Sequence, residues 1–430
     1  MRIINLGGAT AILEHRGKRM LFDPWLDDGI FHGSWFHWPP VTAHIGDLGR
    51  FDYVYISHIH EDHCSAGTIR SINRDAEIII MDRQPNFVAN FLRSHDFGFA
   101  KVHLVPPRKG LQITEDLFVD MIEADPTNEM SFLVDSSIVI KWGDRVVFNA
   151  NDCQPHEDGL RYLMANYSHI DLALLPYSGG SGYPSCYVNL TDARKEAERD
   201  RILNQRVASF VATAKCIDPT FVMPFADQYV VGGSRARLNR YVSHGASPAV
   251  VRPKMVEANL QDRLVLLNSG QAFDLESRAL TPGEPYRTFT EEDREHYIAQ
   301  SLAEERYDHE RITFGPSVAV DRLVGHARER LWNVQERRKT FPAYRVLLDF
   351  TDSGRRFEID LACPDVAETR IDAPIEEPFL RIAGSDTLMV MLLIGHMSWN
   401  IADAALFLDY ERRPNRYDPT IYVLLNFLKV

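Results

Sequence analysis

Tyr53-Val54-Tyr55-Ile56-Ser57-His58-Ile59-His60-Glu61-Asp62-His63 is the stretch on which the fold turns. Its apolar first part reads as a buried strand. Its second part sets His58, His60, Asp62 and His63 within six residues. A strand that ends in imidazoles and a carboxylate delivers ligands to a metal. Neutral imidazole with carboxylate suits iron or zinc, with manganese as an alternative. The spacing lets one loop wrap two ions, with His58 and His60 facing the first and Asp62 and His63 the second. A carboxylate from elsewhere must then bridge the pair. Asp152, in Asn149-Ala150-Asn151-Asp152-Cys153, fits that role because it also follows a strand directly. Two ions so placed activate water at neutral pH or, when they are iron, bind dioxygen. Asp62 is the candidate catalytic residue, placed to orient the bound water or oxygen species.

At 430 residues the chain is too long for one small core, and two domains are expected, 1–280 and 281–430. A hydrophobic fraction of 45% and a charged fraction of 25% are those of an ordinary globular protein. The net charge of -13 argues against nucleic acid as a partner, which needs a basic surface. It leaves room for a small anionic substrate, because a site can be locally positive on an acidic protein. Cys64, Cys153, Cys186, Cys216 and Cys363 include no C-x-x-C pair and are odd in number. They read as reduced thiols of a cytoplasmic protein and exclude a Rieske cluster on this chain. The start, Met1 to Gly8, lacks the apolar core of a signal peptide. No apolar stretch approaches the roughly 20 residues needed to span a bilayer, so no membrane partner is expected.

Residues 1–24 read as strands around the turn Arg16-Gly17-Lys18. Trp25 to Pro40 is too irregular for a helix and reads as a long aromatic loop, equally suited to stacking on a substrate and to packing on the core. Strands are expected at Val54–Ile56, 76–81, 101–105, 117–122, 131–134, 137–141, 145–148 and 172–175, with helices at 65–72, 86–94 and 191–216. The loop Gly179-Gly180-Ser181-Gly182 reads as a turn at a sheet edge, without the lysine of a phosphate-binding P-loop. Arg194, Arg199 and Arg201 read as a solvated helix face. The tail offers a helix over 321–338, a hairpin around Asp352-Ser353-Gly354, a strand at 379–384 and an apolar helix at 388–394. That order is loosely similar to sterol-carrier-like domains.

The metal-binding run resembles the signature of the metallo-β-lactamase fold superfamily. Further stretches are similar to the non-Rieske part of the CMP-N-acetylneuraminic acid hydroxylase family: Phe22-Asp23-Pro24-Trp25-Leu26, Gly33-Ser34-Trp35, Pro39-Pro40, Gly179 to Pro184 and Pro224-Phe225-Ala226. The resemblance covers roughly residues 1–275 and implies an α/β fold, the αββα sandwich, with a smaller α+β C-terminal domain as lid, dimerisation unit or substrate contact. Two departures follow from it. The superfamily's third histidine falls near Met130-Ser131, where Asp125 and Glu129 are the nearest substitutes. Its last histidine is replaced near Met223-Pro224-Phe225-Ala226-Asp227, where Asp227 is the available ligand.

The expected metal ligands are therefore His58, His60, Asp62, His63, Asp152 and Asp227. The expected cofactor is one or two metal ions, iron favoured, zinc or manganese as alternatives. The resemblance implies a non-haem iron oxygenase of a sugar, nucleotide-linked or amine-bearing metabolite, its electrons coming from a separate protein. The superfamily at large implies a zinc- or manganese-dependent hydrolase of an ester, amide, lactone or phosphodiester instead. A small-molecule substrate is common to both, and either is compatible with a homo-oligomer.

Overall fold

The computed structural model describes residues 1–314 and 318–430. Two sheets face each other. The first has eight strands and runs from Leu280–Thr281 at one edge through Ala272–Asp274, Arg2–Gly7, Thr10–His15, Lys18–Phe22, Tyr53–Tyr55 and Glu77–Met81 to Lys101–Val105. The second has six, from Phe221–Phe225 through Leu172–Pro176, Arg145–Asn149, Ser136–Trp142 and Leu117–Glu123 to Leu111–Gln112. Period-two alternation assigns each side chain its layer. Phe22, Tyr55, Ile79, Ile138, Val147, Leu172 and Leu174 meet between the sheets. Their neighbours Leu21, Val54 and Ile78 turn outward beneath Ile69, Val88 and Leu92 of the helices Ala66–Arg70 and Phe87–Ser94. On the other side Phe148, Ala173 and Leu175 pack under Val207, Phe210 and Val211 of the long helix Asp192–Ile217. Each such fully buried apolar side chain contributes about 1.5–3 kcal/mol.

Strand direction places the site. Lys18–Phe22 and Tyr53–Tyr55 pair in parallel, as do Arg145–Asn149, Leu172–Pro176 and Phe221–Phe225. Their C-terminal ends, and the N-terminal end of the antiparallel Ser136–Trp142, lie along one rim of the sandwich. Ser136 ties the sheets together there: its hydroxyl donates to the Ser57 carbonyl at 2.9 Å, and its own carbonyl accepts from Tyr55 Oη at 3.3 Å.

Two expectations fail locally. Residues 131–134 form part of a helix, Glu129–Val134, instead of a strand. Asn128 caps that helix by accepting from the Ser131 amide, which favours a helical start over extension. As expected, the stretch from Trp25 to Pro40 is not helical, but it is more regular than a loop: it holds a turn at Ile30–Gly33 with left-handed backbone at Phe31 and His32, and the strand Trp35–His37, paired with Tyr229–Val231. Trp25, Phe31 and Trp35 are buried, so this segment packs on the core. After Thr281 the chain crosses the rim and builds a five-stranded sheet in the order Val366–Arg370, Arg355–Asp360, Arg345–Phe350, Phe379–Gly384, Asp409–Arg413, with the helices Val320–Arg338 and Asp386–Leu393. One apolar cluster joins Leu331, Phe350, Ile382 and Met389 of this part to Trp25, Trp35 and Tyr187 of the sandwich. Among the described residues no helix is long and apolar enough to cross a membrane.

Candidate metal centre

The loop after Tyr53–Tyr55 brings its three histidines together by giving each a fixed partner on one ring nitrogen. Asp23, directly after Lys18–Phe22, has a left-handed backbone (φ 42°) and a fully buried carboxylate. It accepts from the Ser57 amide at 2.7 Å, from Ser57 Oγ at 2.9 Å and from His63 Nδ1 at 3.0 Å. With its hydroxyl proton given to Asp23, Ser57 Oγ accepts from His58 Nδ1 at 2.9 Å. His60 Nε2 donates to Asn400 Oδ1 at 2.9 Å, across 340 residues of sequence. These bonds set the tautomers, leaving His58 Nε2, His60 Nδ1 and His63 Nε2 as lone-pair donors.

Those three atoms point inward. His58 Nε2 and His60 Nδ1 lie 2.8 Å apart. His63 Nε2 is 3.2 Å from Asp62 Oδ2. Asp152 Oδ2 stands between the two subsets, 3.8 Å from His58 Nε2 and 3.6 Å from His63 Nε2. Asp135 Oδ1 approaches His58 Nε2 at 3.9 Å from the far side. His58, His63 and Asp152 have ligand atoms within 4.8 Å of one another, enough for one ion. The pairings of His60 with His58 and of Asp62 with His63 extend that core to either side of Asp152.

The turn that presents Asp152 is built by its own asparagines. Asn149 Oδ1 accepts from the Asn151 amide at 2.8 Å, and Asn151 Oδ1 from the Asp152 amide at 2.9 Å. Asn151 adopts the left-handed conformation (φ 45°) that asparagine tolerates. Asp152 Oδ1 is buried without a hydrogen-bond partner among the described residues. Such an oxygen is costly unless something satisfies it, and the His58, His60 and His63 ring nitrogens gather beside this carboxylate and that of Asp62. A divalent cation answers both, so the residues fit a metal.

Electrostatics agrees. Burial lowers the His63 pKa, but Asp62, Asp152 and Asp23 outweigh it and hold the group well above its ordinary value. Burial, with the charges of His63 and His60, pushes His58 well below its own. Burial also pushes the Asp62 carboxyl up, yet His63, His60 and His58 bring it down to about 2. Asp135 is raised, chiefly by burial. A metal ion serves these carboxylates as a proton on His63 does.

Of the expected ligands, the structure brings together His58, His60, Asp62, His63 and Asp152. No hydrogen bond or ion pair among the described residues links Asp227 to them. Asp227 Oδ1 accepts from the Gly245 amide at 3.1 Å, its other oxygen is buried without a partner, and burial pushes its pKa up to about 6. Neither expected substitute for the third histidine is in the cluster. Asp125 accepts from Thr127, and Glu129 pairs with Arg338. Asp135 holds that side instead. His244 stacks on Tyr229, whose ring also stacks on Trp35. Cys64 and Cys153 are buried, and burial pushes both thiols up. Asp23, Ser57, Asp135 and Asn400 are the residues that sequence reading missed. For Asp23 and Asp135 a signal existed, because each stands at a strand end on the rim.

Asn400 also lines a cleft of about 730 Å³ between the loop Gly180-Ser181 and the C-terminal part. Replacing Asn400 with alanine frees the His60 ring. The expected result is metal affinity lower by about 10–100-fold, as for other outer-shell partners, read by competition with a chelator. Unchanged affinity would mean that the C-terminal part does not help to hold the site.

Residues 2–148 match the family model described as a beta-lactamase superfamily domain. A Mycobacterium tuberculosis protein named for a Rieske 2Fe-2S iron-sulfur centre is 28% identical over 320 residues, 70% of this chain and 60% of that protein. Cytidine monophosphate-N-acetylneuraminic acid hydroxylase of Mus musculus is 28% identical over 243 residues, 54% of this chain and 39% of the hydroxylase. The chain thus spans 60% or less of the length of these relatives. Among solved structures, CmlA, a diiron beta-hydroxylase from Streptomyces venezuelae, covers 62% of this chain and 53% of its own at 17% identity, with a TM-score of 0.42. An isothiocyanate hydrolase from Delia radicum gut bacteria covers 64% and 99% at 17% identity, with a TM-score of 0.46. These two likenesses are too distant to weigh on the choice of chemistry. Over residues 2–148 the chain is thus similar to a beta-lactamase superfamily domain, and the two facing sheets flanked by helices have the metallo-β-lactamase architecture.

Proposed function

We propose that this chain is a non-haem iron oxygenase with one or two irons, hydroxylating a sugar, nucleotide-linked or amine-bearing metabolite. The observation that carries this reading is the carboxylate-rich ligand set. Asp62, Asp135 and Asp152 each bring a carboxylate oxygen within 3.9 Å of Nε2 of His58 or His63. Carboxylate with imidazole is the donor mixture of non-haem iron sites. The likeness to the hydroxylase of Mus musculus and to the Rieske-named protein points the same way. Iron in this site would supply dioxygen activation. The chain's own residues do the rest. His58, His60 and His63 would hold the metal with their oriented ring nitrogens, Asp152 would add the shared carboxylate, and Asp62 would orient a bound water. The cysteines in this sequence lack Rieske spacing, so reducing equivalents would come from an electron-transfer module outside these 430 residues, on the same or another chain.

The alternative is a zinc- or manganese-dependent hydrolase of an ester, amide, lactone or phosphodiester. The same six residues, Asp152 among them, also suit metal-assisted attack by water. Metal analysis separates the two. Protein purified without chelators or metal columns is expected to hold one or two irons per chain, with absorption bands that change on anaerobic reduction. Colourless protein holding zinc, which hydrolyses a phosphodiester without dioxygen, would overturn the oxygenase reading.

A further inference from the structure

Arg412, on the strand Asp409–Arg413, is 4% exposed and yet has no carboxylate within ion-pair distance among the described residues. Its guanidinium lies over the rings of Tyr183 and Tyr187, at 5.3 and 5.0 Å from their centroids. Nη1 donates to Tyr422 Oη at 3.1 Å and Nη2 to Asn415 Oδ1 at 2.9 Å, both neutral, while Nε is buried without a partner. A guanidinium has five N–H donors. Those left over sit on an uncompensated buried charge, which is costly unless an anion pairs with it. Arg356, by contrast, is equally buried but bonded twice to Asp349.

The surroundings are those of a ligand site. Arg412 lines the 730 Å³ cleft whose inner wall includes Asn400, the partner of His60. That volume suits a small molecule. Tyr417, 58% exposed, stands in the same cleft and offers a ring face. Asp403, which also lines the cleft, accepts from the Gly182 amide at 3.2 Å and makes no ion pair with Arg412 among the described residues. Arg194 and Arg201 on the opposite wall are both paired with Glu198. Arg412 is therefore the cation left for a ligand.

We propose that the cleft between the sandwich and the C-terminal sheet is the substrate-binding site, and that it takes a ring-bearing molecule with a carboxylate or phosphate seated on Arg412. This rests on the reading of the metal centre as the reactive site, since the cleft leads to Asn400.

The test is titration calorimetry on the full chain with benzoate, phenyl phosphate and inorganic phosphate, and with neutral benzamide as the control. Benzoate or phenyl phosphate is expected to bind, and benzamide not. Whichever anion binds more tightly identifies the oxyanion. Arg412→Gln is expected to weaken that anion about tenfold to a hundredfold, with Arg412→Lys retaining part of the affinity. Tyr417 is exposed, so Tyr417→Ala leaves the fold intact and is expected to weaken the ring-bearing anions but not inorganic phosphate. Anions also ligate metals, so the titration is repeated on Asp152→Ala. Binding that persists there belongs to the cleft, whatever becomes of the metal reading. Failure of both ring-bearing anions to bind, or equal binding by Arg412→Gln and the wild type, overturns the proposal.

Discussion

Asp152→Ala is expected to abolish turnover and to leave the purified protein with less than one metal ion per chain. Asp152 is the carboxylate that stands between His58 Nε2 and His63 Nε2, and its buried Oδ1 has no partner among the described residues. Its removal deletes the anion shared by both halves of the cluster. The fold is expected to survive, because the turn is held by Asn149 and Asn151 and the Asp152 side chain is partly exposed. Loss of function then means loss of metal and not of structure. His60→Ala should act in the same direction through the other subset. Asp23→Asn gives a graded comparison. It keeps the volume of a fully buried group but weakens the acceptor that orients His63 and Ser57, and outer-shell changes of this kind cost about 10–100-fold in metal affinity. Elemental analysis after dialysis, with circular dichroism on the same samples, ranks the variants. Full metal and activity in both Asp152→Ala and His60→Ala would remove the site assignment.

The ligand loop and Asp152 were legible in the sequence because both are local patterns: ligand-type side chains directly after an apolar strand. The sandwich was legible for a similar reason, since alternating strands write their two faces into the sequence. Asp135 shows where such reading fails. The resemblance put the third ligand near Met130-Ser131 with Asp125 and Glu129 as substitutes, whereas it is Asp135 that comes within 3.9 Å of His58 Nε2, and residues 131–134, read as a strand, lie in the helix Glu129–Val134. A helix rises about 1.5 Å per residue and a strand about 3.3 Å, so a mistaken conformation over a few residues moves the reachable side chain by several ångströms. Asn400 was beyond reach for another reason. Nothing near Trp399-Asn400-Ile401 signals a metal centre, and only the docking of the C-terminal part brings that amide to His60. Arg412 is a similar case. It reads as one arginine among several, and its importance rests on burial without a carboxylate, which is a tertiary property.

The C-terminal sheet that carries Arg412 has its own point of failure, and Asp349→Ala is expected to reach it. Asp349 is fully buried in the central strand Arg345–Phe350. It accepts from Arg356 Nε at 2.6 Å and Nη2 at 2.8 Å, and from Arg381 Nε at 2.5 Å. Arg356 is itself only 2% exposed. Removing the carboxylate strands that guanidinium in the core, a change that costs about 3–5 kcal/mol. Replacing both partners, as in Asp349→Leu with Arg356→Met, leaves no uncompensated charge and should recover most of the loss. Urea unfolding of the wild type, the single variant and the double variant measures this, and a single-variant loss below about 1 kcal/mol would mean that water or a rearranged partner reaches Arg356. The consequence extends to ligand binding. Arg381 lies opposite Glu411 in the register that pairs Phe379–Gly384 with Asp409–Arg413, and it reaches Glu411 at 3.5 Å as well as Asp349. The buried acid thus anchors the strand next to the one that presents Arg412. Asp349→Ala should therefore weaken anion binding in the cleft, and metal affinity should fall with it only as far as the hold of Asn400 on His60 is loosened.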